Sequence, residues 1–126
     1  MTPPNLSVDL AWILEVAREV GENDPAPEDY GLPIAAVARH QAVLAGQDVY
    51  SGPFVRAAAL CQLLGRVVWL ERSNMTVAVA VAHGYLTACG ITTKLGRDEI
   101  TALVTELRKD TCTVPDIAAI LRTWTV

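Results

Sequence analysis

The stretch Asn74-Met75-Thr76-Val77-Ala78-Val79-Ala80-Val81-Ala82-His83-Gly84-Tyr85-Leu86-Thr87-Ala88-Cys89 decides the fold. Its Val-Ala alternation has the period of a strand, and valine favours strands. Its length and the stop at Gly90 favour a helix instead. Read as a helix, Asn74 to Cys89 becomes the central element, with alanines that let neighbours approach closely. The longest apolar run, Met75 to Leu86, is interrupted by Thr76 and by His83-Gly84, so it is a buried helix and too short to span a bilayer.

The flanking segments also read as helices. Ser7 can cap a first helix to about Val20, with Leu10, Ile13, Leu14 and Ala17 on one stripe, and Gly21 ends it. Glu22 to Tyr30, carrying Pro25 and Pro27, reads as a loop. Pro33 opens a second helix, Ile34 to Leu44. Gly46 to Pro53 is a second loop, and Phe54 to about Val68 a third helix, apolar on nearly all sides. Asp98 to Lys109 places Ile100, Leu103, Val104 and Leu107 on one face. Thr113 caps the last helix, with Asp116 in the capping-box position, and that helix runs to about Trp124. The expected fold is all-α: a compact bundle of about six helices around a central one, forming one domain over residues 1–126.

Composition sets the outer bounds. A 126-residue chain, 52% hydrophobic and 19% charged, is long enough and apolar enough to bury a core. Its net charge of −4 and its scattered Lys and Arg argue against nucleic acid or an anionic membrane as partner. Cys61, Cys89 and Cys112 are odd in number and widely spaced, which reads as buried free thiols in a reducing cytoplasm. Met1 to Asn5 shows no basic and then apolar leader pattern, so the expected location is cytoplasmic.

Several short runs, taken in order, resemble the Fic/Doc family, the death-on-curing-like toxins. Gly31-Leu32-Pro33 followed by Ala35-Ala36-Val37-Ala38-Arg39-His40-Gln41 is similar to the opening of Doc-type proteins. Gly46-Gln47-Asp48-Val49-Tyr50 is similar to their "GQDLYP" turn. Ala57-Ala58-Ala59-Leu60 with Leu63-Leu64 resembles the helix leading to the catalytic motif, and Tyr85-Leu86 with Gly90 the end of the central helix. With Glu99-Ile100 and Ala118-Ala119-Ile120-Leu121, the resemblance covers roughly residues 6 to 124 and implies a Fic/Doc-type fold.

The family motif reads H-x-F-x-[DE]-[AG]-N-K-R. Aligned on Asn74, its histidine falls at Val68, its phenylalanine at Leu70, its acidic residue at Arg72 and its small residue at Ser73. Its lysine falls at Met75 and its arginine at Thr76. A one-residue slip places Val67 or Trp69 at the histidine, and neither accepts a proton. In the family the histidine is the general base on a target hydroxyl, and a base must be titratable. The basic pair neutralises phosphate charge, which Met75 and Thr76 do not. What survives is a backbone cradle at a helix N-terminus, with Ser73 and Asn74 as phosphate-binding candidates. Trp69, Glu71 and Arg72 would line the remaining pocket.

Each of these residues also has a plain reading. Asn74 caps the central helix. Val68, Trp69, Leu70 and Met75 are core. Glu71 and Arg72 form a surface ion pair, and no metal site is expected. His83 is a core or interface residue, while His40, between Arg39 and Gln41, is exposed near a helix end.

These readings converge on a Doc/Fic-like protein with a degenerate motif and no confident catalytic residue. It would work by binding or regulation, as a pseudoenzyme related to the toxin component of toxin–antitoxin systems. The resemblance implies a protein partner, either an antitoxin-like helix held in a groove or a related Fic/Doc protein. One alternative is an active transferase, moving phosphate or AMP to a protein hydroxyl, with ATP and Mg²⁺ as the implied cofactor, or an enzyme of altered chemistry at the same pocket. Another is a helical homodimer that uses Trp12, Trp124 and the apolar third helix as its interface.

Overall fold

The computed structural model describes residues 6–126; the reading of Met1 to Asn5 lies outside them. Six helices follow one another: α1 (Leu10–Val20), α2 (Gly31–His40), α3 (Pro53–Arg66), α4 (Asn74–Ala88), α5 (Arg97–Leu107) and α6 (Val114–Arg122). The Val-Ala alternation is helical throughout, and the fold is all-α apart from one small hairpin. The core lies between α3 and α4. α3 also packs on α2 and α6, and α4 on α1 and α5.

The central pair owes its closeness to small residues. Ala57, Ala58, Ala59, Ala78 and Ala82 are fully buried. A Cβ on Gly65 would lie 3.0 Å from the Ala78 methyl, so glycine in α3 sets how near α4 can come. Leu60, Leu64, Val77, Val81 and Leu86 fill the remaining space.

The element boundaries depart from the sequence reading, and three of the departures have a visible cause. The cap of α1 is Asp9, whose Oδ1 accepts from the Trp12 N–H at 2.9 Å. Ser7 is drawn away from capping because its hydroxyl accepts from the buried Arg56 guanidinium at 3.0 Å. α2 ends at His40, and Val43–Leu44 pairs antiparallel with Gln47–Asp48 as β1 and β2. Ala45 and Gly46 carry the two consecutive positive φ angles, 52° and 76°, that a two-residue hairpin turn needs. α3 stops at Arg66 because Val67 is extended, with φ −115° and ψ 133°. Elsewhere Thr113 caps α6 through the Asp116 N–H as read from the sequence.

Three burial expectations are corrected. His40 is buried, not exposed: its Nε2 accepts from the Val8 N–H at 3.1 Å, and its ring meets the Tyr85 ring edge-on. Val68 is not core but 70% exposed. Trp124 and half of the residues of α3 are buried within the chain, so Trp124 and that face of α3 are not available to an interface. Trp69 and Leu70 are fully buried, as expected, and Met75 is half-buried. All three cysteines are free; Cys61 is buried while Cys89 and Cys112 are half-buried. Among the described residues no helix is long and apolar enough to cross a membrane.

Candidate functional site

The loop from Val67 to Ser73 joins α3 to α4 and carries the motif positions. Its shape follows from one side chain. Asn74 is the first residue of α4, yet its carboxamide turns back onto the loop. Oδ1 accepts from the Trp69 and Leu70 N–H groups, each at 3.0 Å, and Nδ2 donates to the Leu70 carbonyl at 3.0 Å. The sequence reading of Asn74 as a helix cap is thereby corrected: no side chain caps the first turn of α4.

A second layer holds the loop from outside. The extended Pro25–Asp29 segment lies against it, with Pro27 bridged antiparallel to Leu70. The Glu28 N–H donates to the Trp69 carbonyl at 2.7 Å, and the Glu71 N–H to the Ala26 carbonyl at 3.0 Å. The Glu71 carboxylate accepts from the Ala26 N–H at 2.8 Å and pairs with Arg72 at 3.1 Å. Arg72 also donates to the carbonyls of Glu22, at 2.8 Å, and Asn23, at 3.2 Å. The Ser73 hydroxyl accepts from the Glu22 N–H at 3.1 Å, with Ser73 itself left-handed at φ 67°. This strap from Glu22 to Asp29 was invisible as a site element. The one available hint was the proline pair, which biases the chain toward extended conformations able to lie beside another strand.

The motif positions are therefore brought together with a clear division of labour. Trp69 and Leu70 anchor the loop in the core, while the side chains of Glu71, Arg72, Ser73 and Asn74 are bound to neighbouring backbone. Val68 projects to solvent. Met75 and Thr76 face away from the strap and line a cleft of about 420 Å³ with Val79, Ile100, Val104 and Arg108. The α5 contribution to that cleft is not read from the sequence, which places Ile100 and Val104 on one face with Leu103 and Leu107.

Neither histidine reaches this loop. His40 faces Tyr85, eleven residues along α4 from Asn74, or about 16 Å of helix axis. His83 lines a separate depression with Thr87, Gly90, Ile91, Thr92 and Thr93. Burial, together with the nearby Arg56 cation, holds the His40 imidazole below its ordinary 6.5, against the hydrogen bond to the Val37 carbonyl, which favours protonation. Among the described residues no three His, Cys, Asp or Glu side chains cluster as metal ligands.

Over 93 residues the chain is 38% identical to a Toxin Doc of Mycolicibacterium smegmatis, strain ATCC 700084 / mc(2)155, covering 72% of each protein. This chain belongs to the Doc toxin family. No family model matches it, and no solved structure matches it. In this Doc-family chain the α3–α4 loop is a closed hydrogen-bonded turn. It leads into the N-terminal end of α4, whose first N–H groups carry partial positive charge.

Proposed function

We propose that this Doc-family chain acts by binding and not by group transfer, as a single domain working in the cytoplasm on a protein partner of the toxin–antitoxin kind. The observation that carries this reading is Val68: an exposed aliphatic side chain stands where the family's proton acceptor would be, and no described histidine lies near enough to replace it. The cationic positions support it too. Met75 and Thr76 bring no charge, and Arg72 is tied to Glu71 and to the Glu22 and Asn23 carbonyls. A loop so bound keeps its shape without substrate, which suits recognition.

The transferase reading retains one point in its favour. The uncapped first turn of α4 is the type of backbone cradle that accepts phosphate oxygens. The two readings separate in one experiment. The chain is incubated with ATP, Mg²⁺ and a translation factor, and each protein is weighed intact. The expected result is no added phosphate or AMP. The triple variant Val68→His, Met75→Lys, Thr76→Arg is expected to gain transfer, because the scaffold would then hold the missing base and cations. Transfer by the unmodified chain would overturn the binding reading.

A further inference from the structure

The cleft between α4 and α5 has an unusual pairing of surfaces. Its walls are Met75, Val79, Ile100 and Val104, and its polar groups are the Thr76 hydroxyl and the Arg108 guanidinium. The neighbouring cations are occupied. Arg66 donates to the carbonyls of Leu107, at 2.7 Å, and Lys109. Lys109 pairs with Glu106 at 3.0 Å, and Arg72 is bound to the strap. The Arg108 guanidinium, by contrast, makes no hydrogen bond or ion pair with any described residue. It is an exposed planar cation at the edge of an apolar trough.

We propose that this cleft binds a small amphipathic carboxylate with an unbranched aliphatic chain, the chain lying on Met75, Val79, Ile100 and Val104 and the head group on Arg108. The reasoning is by complementarity. A volume of about 420 Å³ falls in the range of small-molecule sites, where apolar walls supply affinity and a few polar groups fix orientation. A guanidinium fork matches a carboxylate through two parallel hydrogen bonds. A polyphosphate is a poor match, since it needs several free cations and this cleft offers one. The inference builds on the reading above in one respect: Met75 and Thr76, at the family's cationic positions, are part of the wall.

The test is calorimetric titration of the whole chain with octanoate below its micelle concentration, beside octanol, inorganic phosphate and ATP with Mg²⁺. Octanoate is expected to bind saturably at one site, with octanol and phosphate at least about tenfold weaker. Arg108→Gln is expected to lower octanoate affinity about tenfold, to the level of octanol. Val104→Asp is expected to abolish binding, because it sets a carboxylate in the trough; Ile100→Glu, at a more exposed position, serves the same purpose if that variant fails to fold. No saturable octanoate binding would overturn the proposal, as would equal affinity in Arg108→Gln or a preference for ATP or phosphate. These outcomes are independent of the mass measurement above. Transfer activity would remove the non-catalytic reading and leave the octanoate result standing, and failure with octanoate would leave the non-catalytic reading intact.

Discussion

Asn74 and Leu70 hold each other by two hydrogen bonds running in opposite directions, each 3.0 Å long. With the further bond from the Trp69 N–H, one carboxamide satisfies three backbone groups of a half-buried loop. A cap bonds forward, into its own helix. This residue bonds backward and fixes how the chain enters α4. Its role is thus architectural before it is anything else.

Replacing Asn74 by alanine is therefore expected to cost stability. Three hydrogen bonds at about 0.5–1.5 kcal/mol each, less what water restores, give a loss of about 2–3 kcal/mol. Urea denaturation of Asn74→Ala against the parent chain measures it. A loss below about 0.5 kcal/mol would show that the loop holds its shape without the carboxamide. Any change in nucleotide binding by this variant has to be judged against that loss.

The acid side of the stability curve is expected to report His40. Its Nδ1–H is directed to the Val37 carbonyl, so Nε2 is the acceptor for the Val8 N–H. The groups facing it are the Arg56 guanidinium of α3, the Tyr85 ring of α4 and the Val37 and Ala36 carbonyls of α2. Protonation turns Nε2 into a donor against another donor, beside a cation. The folded imidazole therefore titrates below its ordinary 6.5, and the unfolded chain binds more protons in that window. Its contribution is complete above about pH 6.5 and is lost as pH falls, by up to about 1.4 kcal/mol per pH unit. His40→Gln keeps an acceptor and a donor without titrating, and its acid limb is expected to be flatter in denaturation curves taken from pH 7.5 to 5. Parallel limbs for the two proteins would assign the acid sensitivity to other groups.

Gly84 is expected to resist enlargement. A Cβ there would sit 2.9 Å from Cζ2 of the half-buried Trp12, which docks α1 onto α4. Alanine gains about 1 kcal/mol of helix propensity over glycine. Displacing an indole wedged between two helices costs about 1–3 kcal/mol. The net expectation is a modest destabilisation with a shift in Trp12 fluorescence. A more stable Gly84→Ala protein with unchanged emission would mean that α1 moves aside without cost.

What the sequence could reveal follows a physical division. Periodicity and caps are local, so the helices, the Thr113 cap and the buried Trp69–Leu70 pair were legible from short windows. The end of α2 was not, because Ala45-Gly46 lacks the Asn-Gly pattern that marks a two-residue hairpin turn. His40 sits between Arg39 and Gln41 and reads as exposed; its burial is created by Val8, Arg56 and Tyr85, distant in the chain. The motif loop was legible as an alignment but not as a geometry. Its strap, Glu22 to Asp29, shares no periodic pattern with it, and the hydrogen bonds that join the two engage backbone groups of the strap, which carry no sequence signature. The Arg108 end of the α4–α5 cleft was hidden for a similar reason: nothing local distinguishes a guanidinium without partners from one that is bound.

Ser73 provides a test of the loop's backbone separate from its side-chain bonds. The residue is left-handed, with φ 67° and ψ 19°, and its hydroxyl accepts from the Glu22 N–H at 3.1 Å. Ser73→Ala removes the acceptor and keeps the Cβ in a left-handed conformation. Ser73→Gly removes the same acceptor and relieves that conformation, which costs about 1–2 kcal/mol for residues with a Cβ, offset in part by the greater freedom of unfolded glycine. Ser73→Gly is thus expected to be more stable than Ser73→Ala by about 1 kcal/mol, and close to the parent chain. Matched thermal and urea curves for the three proteins measure the difference. If alanine proved the more stable, Ser73 would have to leave the left-handed region in solution, and the closed turn between Leu70 and Asn74 would have to open with it.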